Sequence, residues 1–293
     1  MTSASMTEYL TPGPAKGLAG LLDLPTDPIT DGWRLPPLWH WVYLLDRPGQ
    51  STLGPEGHPV HGIPEPPRPG LRRMYAGGRV TTHRPLRLGR EATSTIEVAD
   101  TRERSGRSGW MTIVTTRRTI AQDGATAITD EVDIIYREPT PLPSSDAPSP
   151  RAETSGGTAP GGTASSGAAE EQAEEYWSFD VDEKVLFRFS ALTFNAHRIH
   201  YDVDYCRNKE GYEGLVVHGP LQALLMAQQA VRSPAFTPHA GTAPSTFSYR
   251  LVSPLILGQG LVVGRSESQS HSVATSVQDT VGRRTAVGLL HWD

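Results

Sequence analysis

Apolar and polar positions alternate with period two along residues 72–83, 92–102, 109–121 and 125–136, and Gly-containing turns such as Asp123-Gly124 separate these runs. That pattern predicts four antiparallel strands. Ahead of them, residues 35–45 (LPPLWHWVYLL) are apolar almost throughout, and Pro36 and Pro37 fit the first turn of a helix, so a buried helix is expected there. Residues 48–69 form a Pro/Gly-rich excursion between this helix and the strands. A second series follows: a short strand at 184–189, a helix over 220–232 (PLQALLMAQQAVR), and strands near 245–251, 260–268, 272–279 and 284–291. The helix over 220–232 opens on Pro220, carries strong helix formers and is apolar on nearly every face, which predicts burial.

Between the two series, residues 140–175 are dominated by Pro, Gly, Ser, Ala and Thr and end in an acidic cluster, Glu170, Glu171, Glu174 and Glu175. Such a stretch buries too little apolar area to offset its chain entropy, so a mobile tether reaching roughly 30 Å is expected. The chain therefore divides into a tail (1–30), an N-terminal half (31–139), the tether (140–175) and a C-terminal half (176–293). A buried helix wrapped by an antiparallel sheet, present twice, is the pattern of a duplicated hot-dog fold, an α+β class.

Composition narrows the function by exclusion. The 293 residues are 37% hydrophobic and 20% charged, as in a soluble globular protein long enough for two cores. Lys and Arg number 27 against 32 Asp and Glu, too balanced a count to gather nucleic acid or an anionic membrane. The single cysteine, Cys206, excludes an internal disulfide and a multi-thiolate metal site. Residues 1–30 lack a secretory pattern, and no run approaches the roughly 18 apolar residues of a membrane span, so a cytoplasmic location is expected. Nucleotide-binding glycine motifs, HExxH and Cys/His clusters are all missing, and neither a cofactor nor a metal is expected.

Unusual residues concentrate in Ala191-Leu-Thr-Phe-Asn-Ala-His-Arg-Ile-His200, with Tyr201 behind it, and in Gly211-Tyr-Glu-Gly-Leu-Val-Val-His-Gly-Pro220. Imidazole titrates near neutral pH, so His200 suits proton exchange with water, and the Asn195 amide, five residues earlier, suits holding that water. Each has a structural competitor: a histidine satisfied in the core, an asparagine capping a turn.

The first segment resembles the MaoC-like enoyl-thioester hydratases and dehydratases, whose signature is a carboxylate, Asn-Pro, and a His five residues after the carboxylate. It is most similar to the branch holding fungal mitochondrial hydroxyacyl-thioester dehydratases and bacterial mesaconyl-CoA hydratases. Strings of that branch recur in the N-terminal half at Pro37-Leu-Trp-His-Trp41, Leu53-Gly-Pro-Glu-Gly-His-Pro59 and Arg72-Arg-Met-Tyr-Ala-Gly-Gly-Arg79. The resemblance implies a double hot-dog and reversible hydration of a 2-enoyl thioester of coenzyme A or a carrier protein. In its terms His200 is the acid/base residue, the Gly219 N–H is an oxyanion donor, and His218 and Tyr201 line the substrate. Arg72, Arg73, Arg79 and Arg84 are candidates for its phosphates, with a solvated strand face as the competing reading.

Asn195 stands where the broader family has Asp, which leaves Asp202 and Asp204 as other candidate acids or as partners orienting His200. The N-terminal half is expected to supply a wall of the acyl tunnel and no catalytic residue. Thioester hydrolysis, addition of a nucleophile other than water, and acyl-thioester binding without turnover stay open. Hot-dog units pair through their sheets, so an internal pseudo-dimer is expected, with a homodimer of chains beyond it.

Overall fold

In a computed structural model the protein is described over residues 4–106, 109–138, 175–236, 244–267 and 271–293. The eight strands expected from alternation outside residues 184–189 form at β2 (Arg72–Thr82), β3 (Glu91–Gly106), β4 (Gly109–Gln122), β5 (Ala125–Arg137), β7 (Ser245–Leu251), β8 (Val262–Glu267), β9 (Ser272–Gln278) and β10 (Arg284–Trp292). Two more, β1 (Ala4–Tyr9) and β6 (Glu175–Ser178), complete one antiparallel sheet of ten strands. Its order is β1-β3-β4-β5-β2-β7-β10-β9-β8-β6. Read outward from the centre, each half repeats the other: β2, β5, β4, β3, β1 on one side and β7, β10, β9, β8, β6 on the other. The halves meet where β2 pairs with β7, from Gly77 opposite Arg250 to Thr82 opposite Ser245. This pseudo-two-fold sheet is the double hot-dog.

The helices α1 (Pro12–Leu21), α2 (Glu183–Thr193), the single turn α3 (Val203–Tyr205) and α4 (Gly219–Val231) supply the packing layer. In α4 every residue from Leu221 to Ala230 is buried, and the helix lies against β7, β8, β9 and β10. The helical layer and the inner sheet face share one apolar core that runs through both halves. Among the described residues no helix is long and apolar enough to cross a membrane.

Three expectations about elements are corrected. Residues 35–45 hold one 3₁₀ turn, Trp39–Val42, bracketed by Leu38 and Leu44 at positive φ, where no helix can continue. Their uniform apolarity reflects burial on all sides: Leu35, Leu38, Trp39, Val42, Tyr43 and Leu44 all belong to the core. The strand expected at 184–189 is part of α2. Asp182 caps it by accepting the Val185 N–H at 2.9 Å, Leu186 and Phe189 turn to the core at helical spacing, and Phe187 points to solvent. Residues 1–30, expected to be a tail, carry β1 on the edge of β3 and the core helix α1, whose Ala15, Leu18 and Ala19 are fully buried. The tether lies outside the described residues except at Glu175, the first residue of β6.

Candidate active site

The site begins where α2 ends. Phe194 adopts the left-handed conformation at its C-terminus, and Asn195 then turns the chain by accepting the His197 N–H on Oδ1 at 3.0 Å. One 3₁₀ turn, Arg198–His200, brings the His200 ring into the interior, where it is 6% exposed. Its Nδ1 lies 2.7 Å from the Val216 carbonyl. A carbonyl only accepts, so Nδ1 carries the proton and Nε2 keeps its lone pair. Val216 is itself held by its N–H bonding to the Ile199 carbonyl at 2.9 Å, so backbone pairing fixes the ring. Burial lowers the His200 pKa to about 4, the Val216 bond opposing it, and the ring is a neutral base at pH 7.

His218, the residue before α4, stacks on His200 with ring centroids 3.5 Å apart and planes 19° from parallel. Its Nε2 is 2.9 Å from Ser190 Oγ on α2, while its buried Nδ1 has no partner among the described residues. Burial, and then the neighbouring His200 and His197, hold it well below the usual imidazole range. Gly219 follows at the first position of α4, with its N–H outside the helical ladder. A Cβ there would lie 2.2 Å from Leu251 Cδ1 on β7, so close packing requires glycine as well.

The N-terminal half packs directly on the His200 turn. The loop that carries Leu53 and Pro59, which bridge each other, docks on residues 196–198: the Glu56 carbonyl accepts the Arg198 N–H at 2.9 Å, and the Pro55 carbonyl accepts from the Arg198 guanidinium at 3.2 Å. Gly57 has φ +97°, and a Cβ on it would lie 1.9 Å from the Ala196 carbonyl oxygen. This close approach sets His58 against His197 at 4.1 Å between ring centroids, and His197 sits edge-on to His200 at 5.6 Å. Burial is the main cause that lowers His58 to about 3 and His197 to about 2. His58 was not among the residues the sequence marked; only its place in the string Leu53 to Pro59 could have drawn attention to it. Among the described residues no group of three or more His, Cys, Asp or Glu has the geometry to hold a metal ion.

The remaining candidates separate. Asp202 is tied to the Arg198 guanidinium at 2.7 Å and caps α3 through the Tyr205 N–H, and Asp204 is exposed. Backbone, not carboxylate, therefore orients His200. Tyr201 is 57% exposed, its hydroxyl donating to the Ala196 carbonyl. Arg72 pairs with Glu210 at 2.9 Å and lies over the Tyr212 ring. Arg84 donates to the Gln122 carbonyl. Arg79 is on the outer face of the sheet, where Glu131 binds both it and Arg117. A bulge between Tyr75 and Gly77 puts Arg79 on the face opposite Arg73, a reversal that strict alternation does not anticipate. Arg73 alone of these has no ion pair or hydrogen bond among the described residues.

The family model for hydroxyacyl-thioester dehydratase type 2 matches residues 38–257, a span that includes both the His58 loop and the His200 turn. This chain belongs to that family. It is 42% identical over 240 residues to the mesaconyl-C(4)-CoA hydratase of Chloroflexus aurantiacus, covering 81% of this chain and 76% of that protein. A MaoC-like dehydratase from Phytophthora capsici has the same fold at 14% identity, with a TM-score of 0.66 over 100% of this chain and 95% of the other. A Mycobacterium tuberculosis protein described as a double hot-dog aligns at 17% identity with a TM-score of 0.54, over 100% and 97% of the two chains.

Proposed function

We propose that His200 is the acid/base residue through which this hydro-lyase adds water to a 2-enoyl thioester and removes it from the 3-hydroxyacyl product. The observation that carries the reading is the His200 Nδ1 bond to the Val216 carbonyl, which leaves Nε2 free to take a proton. In hydration Nε2 accepts a proton from water as the water oxygen bonds to Cβ, and the π electrons move onto the thioester oxygen. The Gly219 N–H, backed by the positive end of the α4 dipole, stabilises that developing charge. The same imidazolium then returns its proton to Cα, so H and OH arrive on one face. Asn195 has committed Oδ1 to the His197 N–H, and its NH2 group is left to hold the water. It cannot supply a proton, and one histidine therefore performs both transfers.

The acyl group in this reading is a short branched dicarboxylyl chain of the mesaconyl kind carried on coenzyme A, supported by the high identity to the Chloroflexus hydratase. We place the reaction in the cytoplasm. The test is absorbance at the enoyl-thioester band on mixing the protein with mesaconyl-CoA or crotonyl-CoA. Wild type is expected to lower it, and His200→Ala to lose about 10²–10⁴-fold in kcat. Unchanged turnover in His200→Ala removes the assignment.

A further inference from the structure

A charged side chain and an unpartnered imidazole nitrogen remain unused beside the site. Arg73 on β2 lies opposite Tyr136 on β5, and cross-strand partners share a face. Tyr136 is buried and its hydroxyl donates to the Pro64 carbonyl at 3.5 Å, so the 48–69 excursion reaches over this end of the sheet, on the face Arg73 shares. The guanidinium is half-buried and its charge bears on His58 and His197, yet no carboxylate pairs with it among the described residues. Its neighbour Arg72 is neutralised by Glu210. On the same excursion His58 has a buried Nδ1 without a partner among the described residues. A partly desolvated cation without a carboxylate partner, beside a buried imidazole nitrogen that can donate in its Nδ1–H tautomer, supplies the recognition elements of an anion.

We infer that Arg73 and His58 form a subsite for a free carboxylate on the acyl group, which makes the enzyme selective for dicarboxylyl over monocarboxylyl thioesters. The inference rests on the hydration reading and deepens it. Two anions of the substrate could satisfy this chemistry, the acyl carboxylate and a phosphate of coenzyme A. Position favours the first: the His58 ring packs at a tilt against His197, which adjoins His200, so an anion held there lies near the His200 ring. The phosphates lie at the far end of the pantetheine arm.

The experiment compares wild type, Arg73→Gln, Arg73→Lys and His58→Asn on mesaconyl-CoA, crotonyl-CoA and the crotonyl thioester of N-acetylcysteamine. Arg73→Gln is expected to lower kcat/KM for mesaconyl-CoA about 30-fold more than for crotonyl-CoA, with Arg73→Lys and His58→Asn between it and wild type. Equal losses on both CoA esters with none on the N-acetylcysteamine ester would assign Arg73 to a phosphate and overturn the inference. Equal losses on all three substrates overturn it too. Should wild type hydrate none of them, calorimetric binding of succinyl-CoA and butyryl-CoA decides the subsite separately from the reaction. A selective loss of succinyl-CoA affinity in Arg73→Gln supports it, and an unselective one ends it.

Discussion

Four imidazoles kept neutral by burial make the site a liability in acid. His58, His197, His200 and His218 all have folded pKa values below the ordinary 6.5, so below that pH the unfolded chain binds protons that the folded chain refuses. Stability is therefore fully present above about pH 6.5 and falls as the pH drops toward the folded values near 4 and lower, by up to about 1.4 kcal/mol per pH unit for each histidine. Thermal unfolding at pH 7 and pH 5 is expected to show a markedly lower Tm at pH 5, and a flat profile would contradict the neutral cluster. His58→Asn is expected to flatten the dependence. At this scale His200 drew attention because it closes the string Ala191 to His200, which resembles a known motif. His58 was not: it lies in a Pro/Gly stretch without periodicity, and only tertiary docking brings it to His197. For Arg79 the competing reading of a solvated strand face is the one its exposed pairing with Glu131 matches, and the bulge before Gly77 is what turns it away from Arg73.

Two glycines set the elements in place. Gly57 meets backbone, the Ala196 carbonyl, at a positive φ, so a side chain there is both strained and sterically blocked. Gly57→Ala is expected to cost about 2–4 kcal/mol and to lift the His58 loop from the His200 turn, lowering turnover together with Tm. Gly219 meets the end of the Leu251 side chain, which a second change can remove. Gly219→Ala alone should cost about 1–3 kcal/mol, and Leu251→Ala added to it should recover part of both stability and kcat. Denaturant unfolding checks both, and failure of the double variant to improve on Gly219→Ala would show that Leu251 is not the obstacle. Among the elements, β2 to β5 and β7 to β10 were legible since one of their faces is buried and alternation follows, whereas the short edge strands β1 and β6 were not. The helix α2 was not, because its Val-Leu-Phe-Arg-Phe run also fits a strand and the deciding signal is the Asp182 cap. The 35–45 segment failed likewise, burial on all sides producing a helix-like composition in a single turn.

Taken whole, the molecule holds its halves together by six residue pairs between β2 and β7 and by one continuous core. Cleavage at a protease site inserted between residues 140 and 174 is expected to leave two fragments that co-elute as one particle and retain turnover; separation on a sizing column would mean that the covalent connection supplies the association. The double sheet could be anticipated from the repeated strand series, and unequal halves were expected too, but the docking of the N-terminal loop on residues 196–198 could not be. The C-terminal half keeps the long helix α4, while residues 22–71 of the N-terminal half form short turns and a loop that reaches across to residues 196–198. A symmetric pair of identical chains would be bound to make every substitution twice. Joined in one chain, the units are free to diverge, and the loop bearing His58 gives the His200 turn packing that the C-terminal unit by itself would lack. Mutational tolerance should follow that division of labour: surface positions of the N-terminal sheet should vary freely, while its short stretch around Gly57 and His58 should be as restricted as the His200 turn it touches.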